Sequence, residues 1–143
     1  MKIGFYPVVG DLLHAGHILA LEEAKQHCDY LIVGLNCTPD GKNPVQSAYE
    51  RYIQLRAVKY VDEIVPYCGR KDMELLVASL PYDIRFLGDD YRGKSWDGKE
   101  LEDHLGKKVH FLSRKHALSS TELKQRIITH LRQGGLKKIV KIL

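Results

Sequence analysis

MKIGFYPVVGDLLHAGHILALEEAKQHCDYLIVGL, residues 1–35, is one strand–helix–strand unit. KIGFY (2–6) and YLIVGL (30–35) are short, continuous apolar runs, the pattern of strands buried on both faces. Between them Ile18, Leu21, Ala24 and Cys28 recur at helical spacing. Two such strands joined through a helix imply a parallel pair, because a parallel connection must cross back over the sheet.

The alternation continues along the chain. TPDGKNPVQ (38–46) carries a glycine and two prolines and reads as a loop. Ser47 and Glu50 then stand at capping-box spacing and open a helix with Ile53, Ala57, Val58 and Val61 as its expected core face. EIVPY (63–67), IRFLGD (84–89) and KVHFL (108–112) read as three further strands, with MELLVASL (73–80) helical between the first two. SSTELKQRIITHLRQ (119–133) opens on Ser119 and Glu122, a second capping-box spacing, and stops at Gly134 and Gly135. No repeat or low-complexity linker divides the chain. The expectation is a single domain over 1–143, an α/β fold with a Rossmann-like, doubly wound parallel sheet of five strands. Residues 134–143, GGLKKIVKIL, form an extension whose role is open between a basic helix and an edge strand.

Composition narrows the function. The chain has 143 residues, 44% of them hydrophobic and 28% charged, in the proportions of a globular protein, with no apolar run long enough to cross a bilayer. The apolar start ends at Pro7 and Asp11, too soon for a signal peptide, which makes the cytoplasm the expected compartment. A net charge of +4, with basic residues interleaved among acids, favours small anionic ligands over nucleic acid. Lys137, Lys138 and Lys141 read as a solvated face or a partner contact. Cys28, Cys37 and Cys68 are odd in number and lack C-x-x-C spacing, so they read as reduced thiols rather than a disulfide framework or a zinc site.

In doubly wound sheets ligands bind beyond the carboxyl ends of the strands. The chemically unusual residues fall there: PVVGDLLHAGH after the first strand, GDDYRG after the fourth, SRKHALSST after the fifth. His14 and His17, three apart in the first turn of a helix, would share a face where unpaired N–H groups and the helix dipole already favour an anion. Their ring N–H groups suit phosphate oxygens, and Gly16 would admit a ligand close to the backbone. The pair also fits a zinc site, for which no third ligand is suggested nearby, or two ordinary helix-end histidines. Asp89 and Asp90 suit a sugar or polyol hydroxyl or Mg²⁺, or equally a turn and cap. Arg114 and Lys115, followed by the hydroxyls of Ser119, Ser120 and Thr121 at another helix start, suit a polyphosphate tail, and Lys42 could close over it.

H-A-G-H after the first strand, YERYIQLRAVKYVDEIVPY, the GDDY loop and the arginine followed by L-S-S-T-E-L-K together resemble the cytidylyltransferase family, especially the small glycerol-3-phosphate cytidylyltransferases. The likeness runs from about residue 2 to about residue 130. It implies transfer of CMP from CTP to a small phosphorylated polyol or sugar, with pyrophosphate as leaving group. By the same resemblance His14, His17, Lys42 and Arg114 would be catalytic. Val8, Val9, Gly10, Gly16, Lys59, Gly88, Asp90, Ser119, Ser120 and Thr121 would join them at the nucleotide, and Asp11, Arg51, Asp89 and Asp90 would meet the acceptor. Mg²⁺ would arrive mainly on the nucleotide phosphates, and the chain would form a homodimer. The family writes G-T-F-D where this chain has Val8, Val9, Gly10 and Asp11, an arginine where it has Lys59, and a glycine where it has Ala117. Two alternatives stand beside this reading: an adenylyltransferase using ATP in coenzyme synthesis, and a degenerate module that binds a nucleotide without catalysis.

Overall fold

The computed structural model describes residues 1–113 and 118–135. The elements are β1 (Ile3–Val8), α1 (Ala15–Gln26), β2 (Tyr30–Asn36), α2 (Ala48–Arg56), β3 (Glu63–Tyr67), α3 (Gly69–Ser79), β4 (Ile84–Gly88), α4 (Lys99–Leu105), β5 (Lys108–Leu112) and α5 (Ser120–His130). A 3-10 turn, Asp89–Tyr91, follows β4, and Leu131–Gly135 closes α5. All five strands pair in parallel in the order β3-β2-β1-β4-β5. The expected doubly wound sheet is present. The order reverses at β1, so the chain's topological switch point lies between β1 and β4.

Strand alternation sorts the core into two layers. Leu31, Val33 and Leu35 of β2 face Leu21 and Ala24 of α1 and Leu55 of α2, together with Phe86 and Leu112. Phe5 and Ile32 point the other way, toward Met73 and Val77 of α3 and Tyr82. Helices therefore cover both faces, as continuous apolar strands require. β3 is an edge strand, where Pro66 withholds a backbone donor at little cost.

Several local expectations shift. α2 ends at Arg56, so Ala57, Val58 and Val61 lie beyond it, and the helix buries Arg51 and Leu55 instead; Val58 and Val61 still pack on the core from the connection to β3. α3 starts four residues earlier than the apolar run, because Asp72 Oδ2 reaches back to accept the Cys68 N–H at 2.7 Å. α4 is not foreshadowed at all. KELEDHL offers seven largely charged residues to a pattern reading, and its limits are set by two left-handed glycines, Gly98 and Gly106. Residues 136–143, with Lys137, Lys138 and Lys141, lie outside the described residues.

Candidate active site

At the carboxyl end of β1 the chain makes an abrupt turn. Gly10 has φ 70° and Leu12 has φ 51°, the latter in a left-handed conformation that costs a non-glycine residue roughly 1–2 kcal/mol. Gln46 holds Leu12 in place by accepting its N–H on Oε1 at 2.7 Å. Asp11, 6% exposed, accepts from Val45 N–H at 2.9 Å and Gln46 N–H at 3.0 Å. Burial by itself would raise this carboxyl, but the two backbone donors and the Lys124 ammonium outweigh it and hold its pKa below the ordinary value. The strained turn and the loop after β2 thus brace one another.

Arg51 braces them from below. Its side chain is buried, and it donates from Nε to Gln46 C=O at 3.2 Å and from Nη1 to Val9 C=O and Asn36 C=O, both at 2.7 Å. Val9 and Asn36 sit at the ends of β1 and β2, so one guanidinium ties two strand ends and a loop together.

The turn delivers the histidines. His14 is the N-cap of α1, and its Nδ1 accepts the Gly16 N–H at 3.0 Å. His17 Nδ1 accepts the His14 N–H at 3.2 Å. In a neutral ring with Nδ1 accepting, the proton sits on Nε2. His14 therefore donates Nε2–H to Ser120 Oγ, 3.1 Å away, while His17 presents Nε2–H as a donor. Burial, then the neighbouring His14 and more weakly Lys42, pull the His17 pKa down to about 4 against the opposing pull of Asp11, so the ring is neutral near pH 7. The two rings lie 4.1 Å apart between centroids.

The first turn of α5 meets the same spot. Ser120 Oγ reaches Asp11 C=O at 3.3 Å, and Lys124, one turn further on, reaches Asp11 Oδ2 at 3.4 Å. Ser119 caps α5 by accepting the Glu122 N–H at 3.1 Å, and Thr121 is exposed beside it. A Cβ on Gly16 would stand 2.9 Å from Leu118 C=O and 2.8 Å from the His14 ring. That glycine admits the chain's own 118–120 segment, a protein neighbour where the sequence suggested a ligand. Two helix N-termini, α1 and α5, consequently converge beside β1 with their N–H groups and positive dipole ends.

On the far side of α1, Glu23 accepts from Ser113 N–H at 3.0 Å and from the Ser113 hydroxyl, and pairs with His110 Nε2 at 3.1 Å. It holds the exit of β5 just before Arg114, which lies, with Lys115, His116 and Ala117, outside the described residues.

Other expected site residues spread out. Val8 ends β1, with Val9 and Gly10 following it into the turn. Lys42 is exposed on the loop after β2, close enough for its charge to act on His17. Gly88 ends β4, Asp89 forms an ion pair with Arg92 at 2.9 Å, and Asp90 sits beside it in the 3-10 turn. Lys59 is not brought to this cluster: it stands in the connection entering β3, at the amino ends of the strands, with its ammonium over the Tyr60 ring. Leu12, Gln46, Glu23, Ser113 and Lys124 escaped the sequence reading. Only Lys124 had a signal, its place one turn after Ser120 in L-S-S-T-E-L-K.

Fold and site together define an α/β protein with two helix N-termini brought together at its topological switch point. The chain belongs to the cytidylyltransferase-like family, whose model matches residues 10–126. It is 33% identical over 121 residues to the glycerol-3-phosphate cytidylyltransferase of Bacillus subtilis, covering 82% of this chain and 90% of that one. The ethanolamine-phosphate cytidylyltransferase of Dictyostelium discoideum is 34% identical over 124 residues, 82% of this chain and 34% of its own length. The chain spans about a quarter (24%) of the bifunctional protein HldE of Hyphomonas neptunium, at 31% identity. Among solved structures, the lipopolysaccharide core biosynthesis protein of Thermoplasma volcanium superposes with a TM-score of 0.69 at 29% identity, covering 81% of this chain and 99% of that one.

Proposed function

We propose that this protein transfers CMP from CTP to a small phosphorylated alcohol, releasing pyrophosphate. The observation that carries the reading is the convergence of two helix N-termini around a neutral His17 whose Nε2–H is available to an oxyanion. Similarity to cytidylyltransferases over most of the chain supplies the nucleotide and the acceptor class.

In this reaction an acceptor phosphate oxygen attacks the α-phosphorus of CTP, and the bond from that phosphorus to the bridging β-oxygen breaks. The acceptor is largely dianionic near pH 7, so no side chain needs to remove a proton. The chain's work is alignment and stabilisation of charge on the reacting phosphorus and the leaving pyrophosphate. His17 donates to that charge, Lys42 lies within electrostatic reach, and Ser119, Ser120 and Thr121 present the N-terminus of α5 to the tail. Arg114 would add a forked donor. Asp11 and Arg51, committed to backbone partners, shape the acceptor side by fixing the turn and the loop. Asp89 and Asp90 offer acceptors for a hydroxyl.

Mg²⁺ belongs to the proposal as the companion of the nucleotide. Both Asp11 oxygens already accept backbone N–H groups and both histidines accept on Nδ1, so the ion's oxygen ligands would come mainly from phosphates and water. A homodimer and a cytoplasmic location complete it; exposed Tyr49 and Tyr52 on α2, beside edge strand β3, suit a second copy, and the CTP pool lies in the cytoplasm. No described helix is long and apolar enough to cross a membrane.

The test is pyrophosphate release with Mg²⁺, offering CTP, ATP, UTP and GTP against a panel of phosphorylated polyols and sugars. Release with CTP and one acceptor is expected. Release with ATP alone would move the protein to adenylyl transfer, and nucleotide binding without release would make it a binding module.

A further inference from the structure

Two of the three cysteines meet at the sheet's carboxyl edge. Asn36 and Tyr67 are the last register partners of β2 and β3. The ladder runs one step further, because Cys37 N–H donates to Tyr67 C=O at 3.0 Å. The next residues to face each other are Cys37 and Cys68. Neighbouring strands lie about 4.8 Å apart, which falls inside the Cα separation of roughly 4.4–6.8 Å that a disulfide spans. Cys37 Sγ donates to Leu35 C=O at 3.7 Å, and the Cys68 thiol lies close enough to act on the Cys37 thiol.

The Cys68 sulfur is not needed at the start of α3. Cys68 is the N-cap of that helix, yet its side chain makes no capping bond, since Asp72 supplies the cap. Cys68 is exposed and Cys37 half-buried, so solvent reaches one sulfur, and its neighbour is the other. Cys28 stands apart, its Sγ donating to Ala24 C=O at 3.4 Å under α1.

We propose that Cys37 and Cys68 are a site of reversible oxidation that forms one disulfide across the carboxyl ends of β2 and β3. The oxidant is a small disulfide such as oxidised glutathione. Cys68, as thiolate, attacks one glutathione sulfur, making a mixed disulfide and releasing one glutathione thiolate. Cys37 then attacks the Cys68 sulfur and displaces the second glutathione. The cysteines lose two electrons and two protons, and the oxidant, gaining both, leaves as two thiols. Burial, and then Cys68 itself, push the Cys37 thiol above its ordinary pKa, which fits the second, resolving role. The bond would cross-link the root of the loop that carries Lys42. It is independent of the reaction proposed above.

The experiment treats the full chain with oxidised glutathione, then counts thiols and maps disulfide peptides by mass spectrometry without reduction. Of the three thiols, only Cys28 should stay titratable, with one peptide joining Cys37 to Cys68, and dithiothreitol should reverse the change. The oxidised chain should melt higher by on the order of 5 °C. Cys37→Ser should halt at the glutathione adduct on Cys68. A stable adduct on Cys68 in the wild-type chain with Cys37 still titratable, or a dimer linked through Cys68, would overturn the proposal.

Discussion

Arg51 and Arg85 are both nearly inaccessible, 1% and 3% exposed, yet they are buried for different ends. Arg85, on β4, faces the α3 layer, where its Nη1 pairs with Glu102 at 3.4 Å. Glu102 also accepts from Tyr82 Oη at 2.6 Å and Trp96 Nε1 at 2.8 Å, which fastens α4 and the segment before it to the sheet. Arg51 pairs with no carboxylate among the described residues. It donates to main-chain carbonyls at the strand ends and so shapes an open edge. Burial of a charge is therefore no mark of a site. What distinguishes the two is whether the partners close a core or hold strained backbone, such as Leu12, beside unspent donors.

Breaking the closed cluster should have the largest effect. Glu102→Ala leaves the Arg85 guanidinium buried without its counter-charge and should cost about 3–5 kcal/mol in urea denaturation, while catalytic rate per folded molecule stays near wild type. If activity fell in proportion beyond the folded fraction, the two regions would not be separable as described.

At the open edge the order reverses. His17→Ala should lower pyrophosphate release per folded molecule by about 10²-fold or more, since the lost group is a donor to developing charge, and cost only about 1 kcal/mol in urea denaturation for the His14 N–H left without its acceptor. A loss under about threefold would remove His17 from that role. Arg51→Lys should sit between the two regions. A point-charge ammonium cannot serve three carbonyls held by a planar fork, so roughly 1–3 kcal/mol of stability and part of the rate should go together.

Acidity sharpens the same contrast. His17 titrates near 4 in the fold and near 6.5 when unfolded, so the unfolded chain binds more protons between those values. Stability should rise with pH through that window and flatten above it, by roughly 3 kcal/mol from this residue. His17→Asn should remove that part of the slope; an unchanged slope would show that His17 is not held neutral. Smallest of all, Glu23→Gln keeps an acceptor for Ser113 but loses the charge facing His110, and should raise the nucleotide KM about two- to threefold with kcat nearly constant.

Much of this was legible beforehand. Apolar runs 2–6 and 30–35 with a helical stretch between them sufficed for the parallel sheet, because burial on both faces writes itself into continuous apolar strands. The motif loops at the ends of β1, β4 and β5 followed from the same topology. α4 was hidden because seven largely charged residues, with only two leucines among them, carry no clear period to read between left-handed glycines. The resemblance alone put Arg51 at the acceptor, and nothing local in the sequence tells a guanidinium bound to carbonyls from one awaiting a phosphate.

The sequence by itself determined the parallel architecture, the strand-end placement of His14 and His17, and the N-caps of α2 and α5, all set by spacing within one or two turns of chain. Tertiary structure alone decided which neighbours those groups have. Ser120 against His14, Lys124 against Asp11, Glu23 against Ser113 and Cys37 against Cys68 join residues far apart in the chain. Hydrogen bonds and charge act over a few ångströms, and only the packed sheet brings those atoms within that range.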